Sequence, residues 1–598
     1  MCSIYSLQFY FYTICIQIFT LCTYLFYYRE VTISSTNEYF DYIIVGSGTA
    51  GSLITHRLST ETNFTYLLLE AGGPSVPILD VPVIGPLLHG SIYDWQYESM
   101  PQEGACLAMV DRKCSLPQGK IVGGSSRLNN MIYVRGNIQQ YVDWFHGKYS
   151  HIYIERHFNY IEKTMLPTED LIYESVLADA IMGAAKELGY KQIDLKSNTT
   201  GFMKSKLNQK FGKRWSMYHT LSQNPHNIVT NAQVEKILIH DKVAYGVKYR
   251  KNKKAHLIFA KKGVIISAGT INSPKVLQLS GIGPSDLLNK LNIPLHSNLP
   301  VGHNLQEHIT SGLDLIVFNK SLGLDGSDLV SPIKLLQYFL TKKGPLTSPG
   351  CEAIGFLSTD NTTVPDIQFM VLPVGITQDR GSHLKKYLRI TDIVWNEYFV
   401  KLFSYYTASI IPILLRPKSR GVVKISGTDP KLPPQIFYNH FSEKQDLEKL
   451  IKGLELVIKF VNTDAMRKIG ARINDNLFPG CQHLELFSHS YLECYVRHLT
   501  LSSFHPAGTC KMGLPSSKDS VVDTGFNVLG ISNLFVVDGS VLPTIPSGNI
   551  NAAIAMMANI FFENNILAKI VDKRHCDKYD EFIEIAYKIS KVYNHHNK

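Results

Sequence analysis

A glycine-rich turn between an apolar strand and a helix constrains this chain more than any other feature. The apolar run 40–45 leads directly into Gly46-Ser47-Gly48-Thr49-Ala50-Gly51, and a helical pattern follows over residues 52–58. A continuous apolar run of this kind is typical of a buried parallel strand. Glycines in this spacing allow a tight turn and let the backbone approach a pyrophosphate at the helix N-terminus. We therefore predict an α/β fold built on a Rossmann-type dinucleotide-binding unit.

A second apolar strand, 66–69, ends at Glu70 and is followed by Ala71. An acid about 20 residues beyond the glycines accepts hydrogen bonds from the adenosine ribose in such units. A carboxylate here disfavours a 2′-phosphate, so we expect FAD or NAD rather than NADP. An ordinary βαβ turn without a ligand is the alternative, but strand, turn, helix, strand and acid in register favour a nucleotide.

The composition is that of a globular protein and excludes some function classes. The 598 residues are enough for two or three packed regions. The net charge is +10, but the basic residues are scattered, and the densest cluster, 251–254, lies between two strand-like runs as a hairpin turn would. We therefore expect no nucleic-acid partner. The histidines and cysteines show no spacing typical of a metal site, so we predict none.

The N-terminus predicts entry into the secretory pathway. The first 28 residues carry no charge, and residues 7–28 are almost entirely apolar and aromatic. Residues 1–36 are interpreted as a signal peptide, which makes the mature protein secreted. The alternative is a signal anchor, because an apolar run of about 20 residues also spans a bilayer. The protein would then contact a membrane only where this segment is retained.

Cysteine usage and glycosylation motifs agree with that compartment. Cys106 and Cys114 are close enough to staple a short loop, and Cys481 and Cys494 form a second possible pair, although spacing alone does not prove connectivity. A glycoprotein is also predicted, because Asn-x-Ser/Thr acceptor motifs occur at Asn63, Asn198, Asn319 and Asn361.

A second glycine-rich turn, Gly123-Gly124-Ser125-Ser126, opens a short apolar helix in the stretch 116–136. This stretch resembles the first signature of the glucose-methanol-choline (GMC) flavoprotein oxidoreductases, and residues 269–283 resemble the second. Four further stretches match the family in its order: 301–308, 416–421, 505–510 and 537–551. The resemblance covers about residues 40–570 and is greatest to the insect glucose-dehydrogenase-like branch.

The resemblance implies a Rossmann-type FAD-binding domain with an interleaved α+β substrate domain built on an antiparallel sheet. The FAD domain would comprise 38–160, 225–310 and 500–570, and the substrate domain 161–224 and 311–499, with 571–598 as a C-terminal tail. The residues themselves agree, because 234–239, 244–249 and 257–259 alternate as strands do, and 263–269 reads as a buried strand. Residues 145–170 match the family poorly, which leaves the shape of the substrate entrance open.

The resemblance also implies FAD as the cofactor and assigns its contacts residue by residue. These predicted contacts are Gly46, Ser47, Gly48, Thr49, Ala50, Gly51, Glu70, Ala71, Val122, Gly124, Ser125, Ser126, Asn129, Asn130, Met131, Ile132, Val234, Ala268, Gly269, Asp538, Gly539, Asn549, Ile550 and Asn551.

Alcohol oxidation removes a hydride from carbon, which flavin accepts, and a proton from oxygen, which the protein must take. Histidine suits this role because its pKa lies near neutral pH. The family match makes His505 the catalytic base, and Pro506 holds it out of a helix. Asn549 is the predicted partner that orients the substrate oxygen, and it also reads as the N-cap of a helix over 552–566. Cys510, near the site, is interpreted as a packed core residue.

The leading hypothesis is an FAD-dependent alcohol or sugar dehydrogenase or oxidase. Its partners would be a small-molecule alcohol or sugar and an electron acceptor, either a quinone-like carrier or oxygen. A secreted FAD- or ligand-binding homologue without turnover is the alternative from another class. An NAD-dependent enzyme is a distant third, since nothing reads as a separate nicotinamide site.

Overall fold

The computed structural model describes residues 38–194, 200–222, 227–322, 331–360, 362, 364–568 and 570. The predicted leader (1–36), the predicted tail (571–598), and the acceptors Asn198 and Asn361 lie outside these residues. Among the residues described, no helix has the length and apolar character needed to cross a membrane.

Two large sheets carry the fold, and their strands are numbered together in chain order. They are β1 (Tyr39–Val45), β2 (Tyr66–Leu69), β3 (Gly201–Lys204), β4 (Ile228–Val229), β5 (Gln233–His240), β6 (Val243–Lys251), β7 (Lys254–Ile266), β8 (Ile309–Thr310), β9 (Ile316–Phe318), β10 (Ala353–Leu357), β11 (Ile367–Leu372), β12 (Tyr406–Leu414), β13 (Arg472–Ile473), β14 (Leu501–Ser502) and β15 (Leu534–Val536). Short two-stranded pairings join 97–98 to 115–116, 169–170 to 206–207, 209–210 to 213–214, 282–283 to 297–298 and 422–424 to 435–437.

The helices surround these sheets. They are α1 (Thr49–Glu61), α2 (Ile84–Leu87), α3 (Ile138–Trp144), α4 (His151–Thr164), α5 (Val176–Glu187), α6 (Tyr218–Ser222), α7 (Gly269–Leu279), α8 (Ser285–Lys290), α9 (Pro332–Thr341), α10 (Leu384–Tyr387), α11 (Asp392–Val394), α12 (Lys444–Val461), α13 (Asp464–Lys468), α14 (His489–His498) and α15 (Asn551–Phe562). Single 3₁₀ turns include Pro77–Asp80, Gly124–Arg127 and Gly539–Val541, and a π-helical turn, Glu563–Leu567, extends α15.

The first sheet confirms the predicted Rossmann unit. Its order is β4-β2-β1-β7-β6-β5, and β15 also pairs with β7. The neighbouring strands β4, β2, β1 and β7 are parallel to one another, and β15 pairs in parallel with β7. Strands β6 and β5 extend the sheet beyond β7 with antiparallel pairings. The Ile43, Ile44 and Leu68 side chains are fully buried, as the apolar runs predicted. The carboxyl ends of β1, β2 and β7 therefore meet at one edge, where this fold class binds ligands.

The second sheet is the predicted antiparallel sheet. Its order is β13-β9-β12-β11-β10-β3, and β8 joins β12 to β14. Every pairing in it is antiparallel, and α12 packs on β12 through its apolar face. The mixed α/β architecture is thereby confirmed.

Each sheet has its own hydrophobic core, and the segment 161–224 contributes to both. Leu166 and Leu221 pack in the core of the first sheet, whereas Leu177 and Phe202 pack in that of the second. Strand β8 lies at the end of the predicted FAD-domain segment 225–310, and β14 lies at the start of the segment 500–570. Both strands pair within the second sheet. The domain boundaries given above stay a prediction.

Both predicted cysteine pairs are confirmed as disulfides. Cys106 bonds to Cys114 and Cys481 bonds to Cys494, each with 5.9 Å between the Cα atoms. Cys510 is buried in the first core, as predicted, and burial raises the pKa of its thiol.

Candidate active site

A cavity with about 1780 Å³ of empty space, counting its open mouth, runs along the carboxyl ends of β1, β2 and β7. It reaches the second sheet at Met370 on β11 and ends at His505 and Asn549. Both predicted catalytic residues therefore share one wall. The predicted cofactor contacts that line it are Gly46, Gly48, Thr49, Ala50, Glu70, Ala71, Gly124, Ser125, Ser126, Asn129, Asn130, Met131, Ile132, Val234, Ala268, Gly269, Asp538, Gly539, Asn549, Ile550 and Asn551.

Three predicted cofactor contacts do not line this cavity. Ser47 points its hydroxyl at Glu70, with 2.6 Å between Oγ and Oε2. Gly51 lies behind the turn against β1, and Val122 packs in the first core. These residues shape the cavity wall from behind, so their predicted direct contact with the cofactor is not supported by their placement.

The three glycines of the first turn have separate physical roles. Gly46 has a φ of +98°, and a Cβ there would lie 2.4 Å from the carbonyl oxygen of Ser267. A Cβ on Gly51 would lie 1.9 Å from the carbonyl oxygen of Gly46, so the helix can approach the strand only without a side chain. A Cβ on Gly48 would meet nothing within 4 Å. Gly48 therefore leaves open space at the N-terminus of α1, where an anion is favoured.

Glu70 lines the cavity and braces the same turn. Its Oε2 accepts hydrogen bonds from the Ser47 backbone N–H at 2.9 Å and from the Ser47 hydroxyl, while Oε1 accepts from Gly72 N–H at 2.7 Å. Burial raises the pKa of Glu70, and these hydrogen bonds oppose the rise by stabilising the carboxylate. Its predicted contact with a ribose stays a prediction.

The second glycine-rich turn forms the facing wall. The 3₁₀ turn Gly124–Arg127 brings Gly124 so close to the first turn that a Cβ on it would lie 3.0 Å from Gly48 Cα. Arg214 is fully buried beneath this turn, donating to Ser126 O at 3.2 Å and to Asn129 Oδ1 at 2.8 Å. Burial lowers the pKa of Arg214 to about 9. A buried cation thus fixes the backbone that carries the predicted flavin contacts.

Asp538 holds two wall segments together. Its Oδ2 accepts from Gly269 N–H at 2.9 Å and from the Ser273 hydroxyl at 2.5 Å, and its Oδ1 accepts from Ser540 N–H at 2.8 Å. These contacts orient the N-terminus of α7 beside the segment that leads to α15.

His505 lies between two polar partners at the far end of the cavity. Its Nε2 is 3.1 Å from Asn549 Nδ2, and its Nδ1 is 3.0 Å from Nδ1 of His308. Gln368 Nε2 donates to Asn549 Oδ1 at 3.1 Å. Desolvation by the surrounding protein lowers the pKa of the half-buried His505 to about 4. The imidazole is therefore neutral at neutral pH, although we predicted a base that titrates nearer to neutrality.

With the Asn549 amide oriented so that its oxygen accepts from Gln368, the contacts of His505 favour one tautomer of its ring. Asn549 presents its amide N–H₂ to His505 because its oxygen is held by Gln368, and an amide nitrogen only donates. Nε2 of His505 must therefore accept, and its proton lies on Nδ1. That N–H donates to Nδ1 of His308 at 3.0 Å, which places the proton of His308 on its own Nε2. The unprotonated nitrogen of His505 is thus the one beside Asn549 and the cavity.

Glu307 supports His505 from behind. Its Oε1 accepts from the backbone N–H of His505 at 2.8 Å. The carboxyl group is buried, which raises its pKa to about 8. A largely neutral acid therefore holds the His505 backbone in position and adds little negative charge at the site.

The interpretation of Asn549 as a helix N-cap is wrong. Helix α15 begins at Asn551, the N-cap position is Ile550, and no side chain caps it. Asn549 instead uses its side chain to contact Gln368 and His505. The N-terminus of α15 nevertheless lies at the cavity wall, where Ile550 and Asn551 are part of the lining.

Several functional residues escaped prediction. His308 and Glu307 belong to the stretch 301–308, so the family match contained a signal for them. Gln368 lies inside an ordinary alternating strand, and nothing in its local sequence marks it. His89 lines the cavity and lies 5.1 Å from the Phe504 ring between centroids, but no feature of its local sequence was assigned a role.

The poorly matching stretch 145–170 lies away from the cavity. None of its described residues lines it. Helix α4 packs instead on α15, where Nδ1 of the buried His157 lies 2.8 Å from Asn559 Nδ2. Divergence in this stretch therefore does not change the residues that line the cavity.

Comparison with known proteins identifies the family. The GMC oxidoreductase family models match residues 40–310 and 417–558. The chain belongs to the GMC oxidoreductase family. It is 32% identical to glucose dehydrogenase [FAD, quinone] of Drosophila melanogaster, covering 87% of this chain and 85% of that protein. It is 31% identical to ecdysone oxidase of Bombyx mori, covering 87% and 81%.

A solved structure agrees with the fold. Pyridoxine 4-oxidase from Mesorbium loti superposes with a TM-score of 0.72, covering 88% of this chain and 99% of that one, at 23% sequence identity. The protein is therefore an FAD-dependent oxidoreductase with the GMC fold.

The residues of the cavity fit FAD. The open space at Gly48 lies at the N-terminus of α1 and would admit a pyrophosphate, and Glu70, at the end of β2, lines the same cavity, where it could accept from a ribose. Gly269 also borders open space, because a Cβ on it would meet no atom within 4 Å. Polar groups of the second turn and the N-terminus of α15 remain for the flavin ring.

Proposed function

We propose that this protein oxidises the CH–OH group of a small alcohol or sugar, with His505 as the general base. The observation that carries the proposal is the 3.1 Å contact between Nε2 of His505 and Nδ2 of Asn549, two residues that line the cofactor cavity. Bound FAD supplies the hydride acceptor, N5 of its ring.

The residues of this chain perform the proton chemistry. The substrate hydroxyl binds between His505 Nε2 and the Asn549 amide, which donates a hydrogen bond to its oxygen. His505 Nε2 removes the hydroxyl proton as the hydride leaves carbon, and the positioned base contributes about a hundred- to ten-thousand-fold to the rate. Nδ1–H of His505 continues to donate to His308, so the new imidazolium keeps a partner for each N–H.

We propose a quinone-like electron acceptor, and oxygen is the alternative. The support is that one relative is named a glucose dehydrogenase [FAD, quinone], while others are named oxidases. A panel of alcohols and sugars, each assayed with a quinone dye and with oxygen, distinguishes them. The proposal predicts turnover with the dye that exceeds turnover with oxygen.

A homologue that binds FAD without turnover is the second candidate. The visible spectrum separates the two functions. The proposed function predicts flavin bands that an alcohol or sugar bleaches without oxygen. Flavin bands that no member of the panel bleaches would favour the second candidate.

We also propose that the protein enters the secretory pathway. The support is the apolar stretch 7–28, together with the disulfides Cys106–Cys114 and Cys481–Cys494, since such bonds persist in oxidising compartments. N-terminal sequencing of protein from a eukaryotic host tests this. Cleavage between about residues 23 and 36 is expected, whereas an intact Met1 on a soluble cytosolic product would contradict it.

A further inference from the structure

A second cavity lies apart from the cofactor cavity, beside helix α3. It has about 860 Å³ of empty space, counting its open mouth, and it shares no lining residue with the cofactor cavity. Helix α3, the loop that follows β12 and the segment 544–545 form its walls. We call this cavity the α3 pocket. Its lining includes Asn137, Asp143, Arg416, Lys418, Arg420 and Thr544.

Three cations of one short loop face the α3 pocket. Arg416, Lys418 and Arg420 all line it, and they follow β12 at every second position. The residues between them, Pro417 and Ser419, are buried. An extended segment places alternate side chains on opposite faces, so this spacing directs three positive charges to one side of the loop.

These charges are not neutralised by nearby acids. In the part of the chain that the structure describes, none of the three cations has a carboxylate within 4.0 Å. The buried Asp446 accepts instead from the backbone N–H groups of Lys418 and Ser419, each at 2.8 Å. Asp143 is the one acid in the described lining, and Gln139 Nε2 donates to it at 2.7 Å. Three positive charges and one negative charge leave the lining with a net charge of +2.

Unused hydrogen-bond donors accompany the charges. Arg416 donates through Nε to Ser547 Oγ at 3.2 Å, and its two Nη groups lack an acceptor among the described residues. Arg420 uses Nε on Asn304 and Nη1 on backbone carbonyl oxygens, which leaves its Nη2. Asn137 is only 6% exposed, and its Oδ1 caps α3, so its Nδ2 also remains to meet a ligand.

Partial burial makes an anion favourable beside the two guanidinium groups. Burial lowers the pKa of both Arg416 and Arg420, and the charges of Asp366 and Asp446 only partly oppose this. A cation that has lost water regains free energy from a hydrogen-bonded anion. The planar fork of an arginine fits the oxygens of phosphate or carboxylate groups in particular.

We propose that the α3 pocket binds a phosphate dianion, either as the free ion or as the phosphate group of a small phosphomonoester. A phosphate group carries about two negative charges at neutral pH, which matches the net charge of the lining, whereas a carboxylate carries only one. The Nη groups of Arg416 and Arg420 would donate to the phosphate oxygens, and the exposed Lys418 would add its charge at the mouth. The size of the pocket leaves room for the organic part of an ester.

Isothermal titration calorimetry tests this site in the full-length protein loaded with FAD. Loading keeps added phosphate from the turn at Gly48. The titrants are sodium phosphate, glycerol phosphate and, as a monoanion, sodium acetate. The test variant combines Arg416→Gln and Lys418→Gln. The matched control combines Arg467→Gln and Lys468→Gln, which removes the same charge from exposed positions on α13. Melting temperatures show whether each variant is folded.

We expect the parent and the control to bind phosphate, less tightly as the salt concentration rises, and to bind acetate at least about tenfold more weakly. The test variant should bind phosphate about tenfold or more weakly, because it loses two of the three charges. Lys418→Gln alone changes only an exposed side chain, so it should fold normally and weaken binding by about threefold.

The two phosphate titrants distinguish the sources of the ligand. Tighter binding of glycerol phosphate than of inorganic phosphate would assign the pocket to a phosphomonoester. Equal or weaker binding of the ester would assign it to the free ion.

Three results would overturn the proposal. One is a parent protein that binds neither phosphate titrant. Another is an affinity for phosphate that stays unchanged in both the double variant and Lys418→Gln, which would place the binding elsewhere. The third is a parent protein that binds acetate as tightly as phosphate, since the pocket would then show no preference for a dianion.

Discussion

Enclosure in the protein sets the chemistry of single residues at this site. It lowers the pKa of His505 to about 4, so the base stays unprotonated over the whole neutral range. The same enclosure raises the pKa of Glu307 to about 8, so a mostly neutral acid stands behind the base. A base of low pKa is weaker, and the hydride acceptor must therefore supply much of the driving force for proton removal.

Asn549→Ala tests the orienting amide. The change leaves His505 in place but removes one hydrogen-bond donor to the substrate oxygen, so flavin reduction should slow by about tenfold. The midpoint of the pH profile should stay where it is in the parent. Asn565→Ala is the control, since that side chain donates to Phe561 O and does not line the cavity. Loss of the pH-dependent step in Asn549→Ala would show that this residue controls the proton itself.

Glu70→Ala tests the cofactor contact at the end of β2. Removing hydrogen bonds to a ribose, at about 1.5–3 kcal/mol for a charged acceptor, should weaken FAD retention. The flavin-to-protein ratio after dialysis measures this loss. The control is Glu61→Ala, because Glu61 is at the C-terminus of α1 and does not line the cavity. A Glu70→Ala protein that keeps its flavin as well as the parent does would refute the assignment.

Residues within a local motif were predictable, whereas residues brought in by the fold were not. Glu70 and Gly48 follow from the strand–turn–helix pattern, and His505 follows from a motif in family order. Gln368 reaches Asn549 only because the second sheet packs against the cavity. The N-cap role of Asn549 was wrong because tertiary hydrogen bonds to Gln368 and His505 outweighed a local one.

At the scale of elements, the close approach of α1 to β1 determines the shape of the nucleotide site. The Rossmann strands were predictable because their apolar runs are continuous and because the glycines of the turn have the spacing of a dinucleotide-binding motif. The pairing of β8 with both β12 and β14 was not, because two-residue strands carry no pattern. The packing of residues 161–224 in both cores was not predictable either, because local periodicity does not show on which sheet an element packs.

Gly48→Ala and Gly51→Ala should separate binding from folding. A Cβ on Gly48 enters open space in the cavity, so this variant should fold normally and lose FAD affinity. A Cβ on Gly51 would lie 1.9 Å from Gly46 O, so this variant should lose about 1–3 kcal/mol of stability. Thermal melts without cofactor and FAD titrations measure the two effects. Equal melting temperatures for both variants would contradict the packing described for the turn.

At the scale of the whole molecule, buried ionisable groups oppose one another across pH. Burial raises the pKa of Glu307 and Glu352 to about 8, so the folded state holds protons that the unfolded state releases, and stability falls as pH rises from 4.5 to 8. Burial lowers the pKa of His157 and His440 to about 3, so stability falls as pH drops below 6.5.

Glu352→Gln should reduce the alkaline loss of stability. The amide oxygen can still accept from the Ser175 hydroxyl, but no proton is released on unfolding. The melting temperature should therefore fall less between pH 4.5 and 8 than in the parent, whereas Glu103→Gln at an exposed position should change nothing. Parallel melting curves for parent and Glu352→Gln would contradict the raised pKa.

The account depends most on His505, and stopped-flow flavin reduction by His505→Ala tests it most directly. The variant should retain a normal flavin spectrum, because the cofactor contacts lie elsewhere along the cavity, and should reduce its flavin about a hundred-fold or more slowly. In the parent, the reduction rate should rise with pH through one ionisation near pH 4, and the variant should lose that step. His440→Ala, a buried histidine outside the cavity, should keep both the rate and the step. A His505→Ala protein that reduces its flavin at the parent's rate would show that the proton leaves by another route.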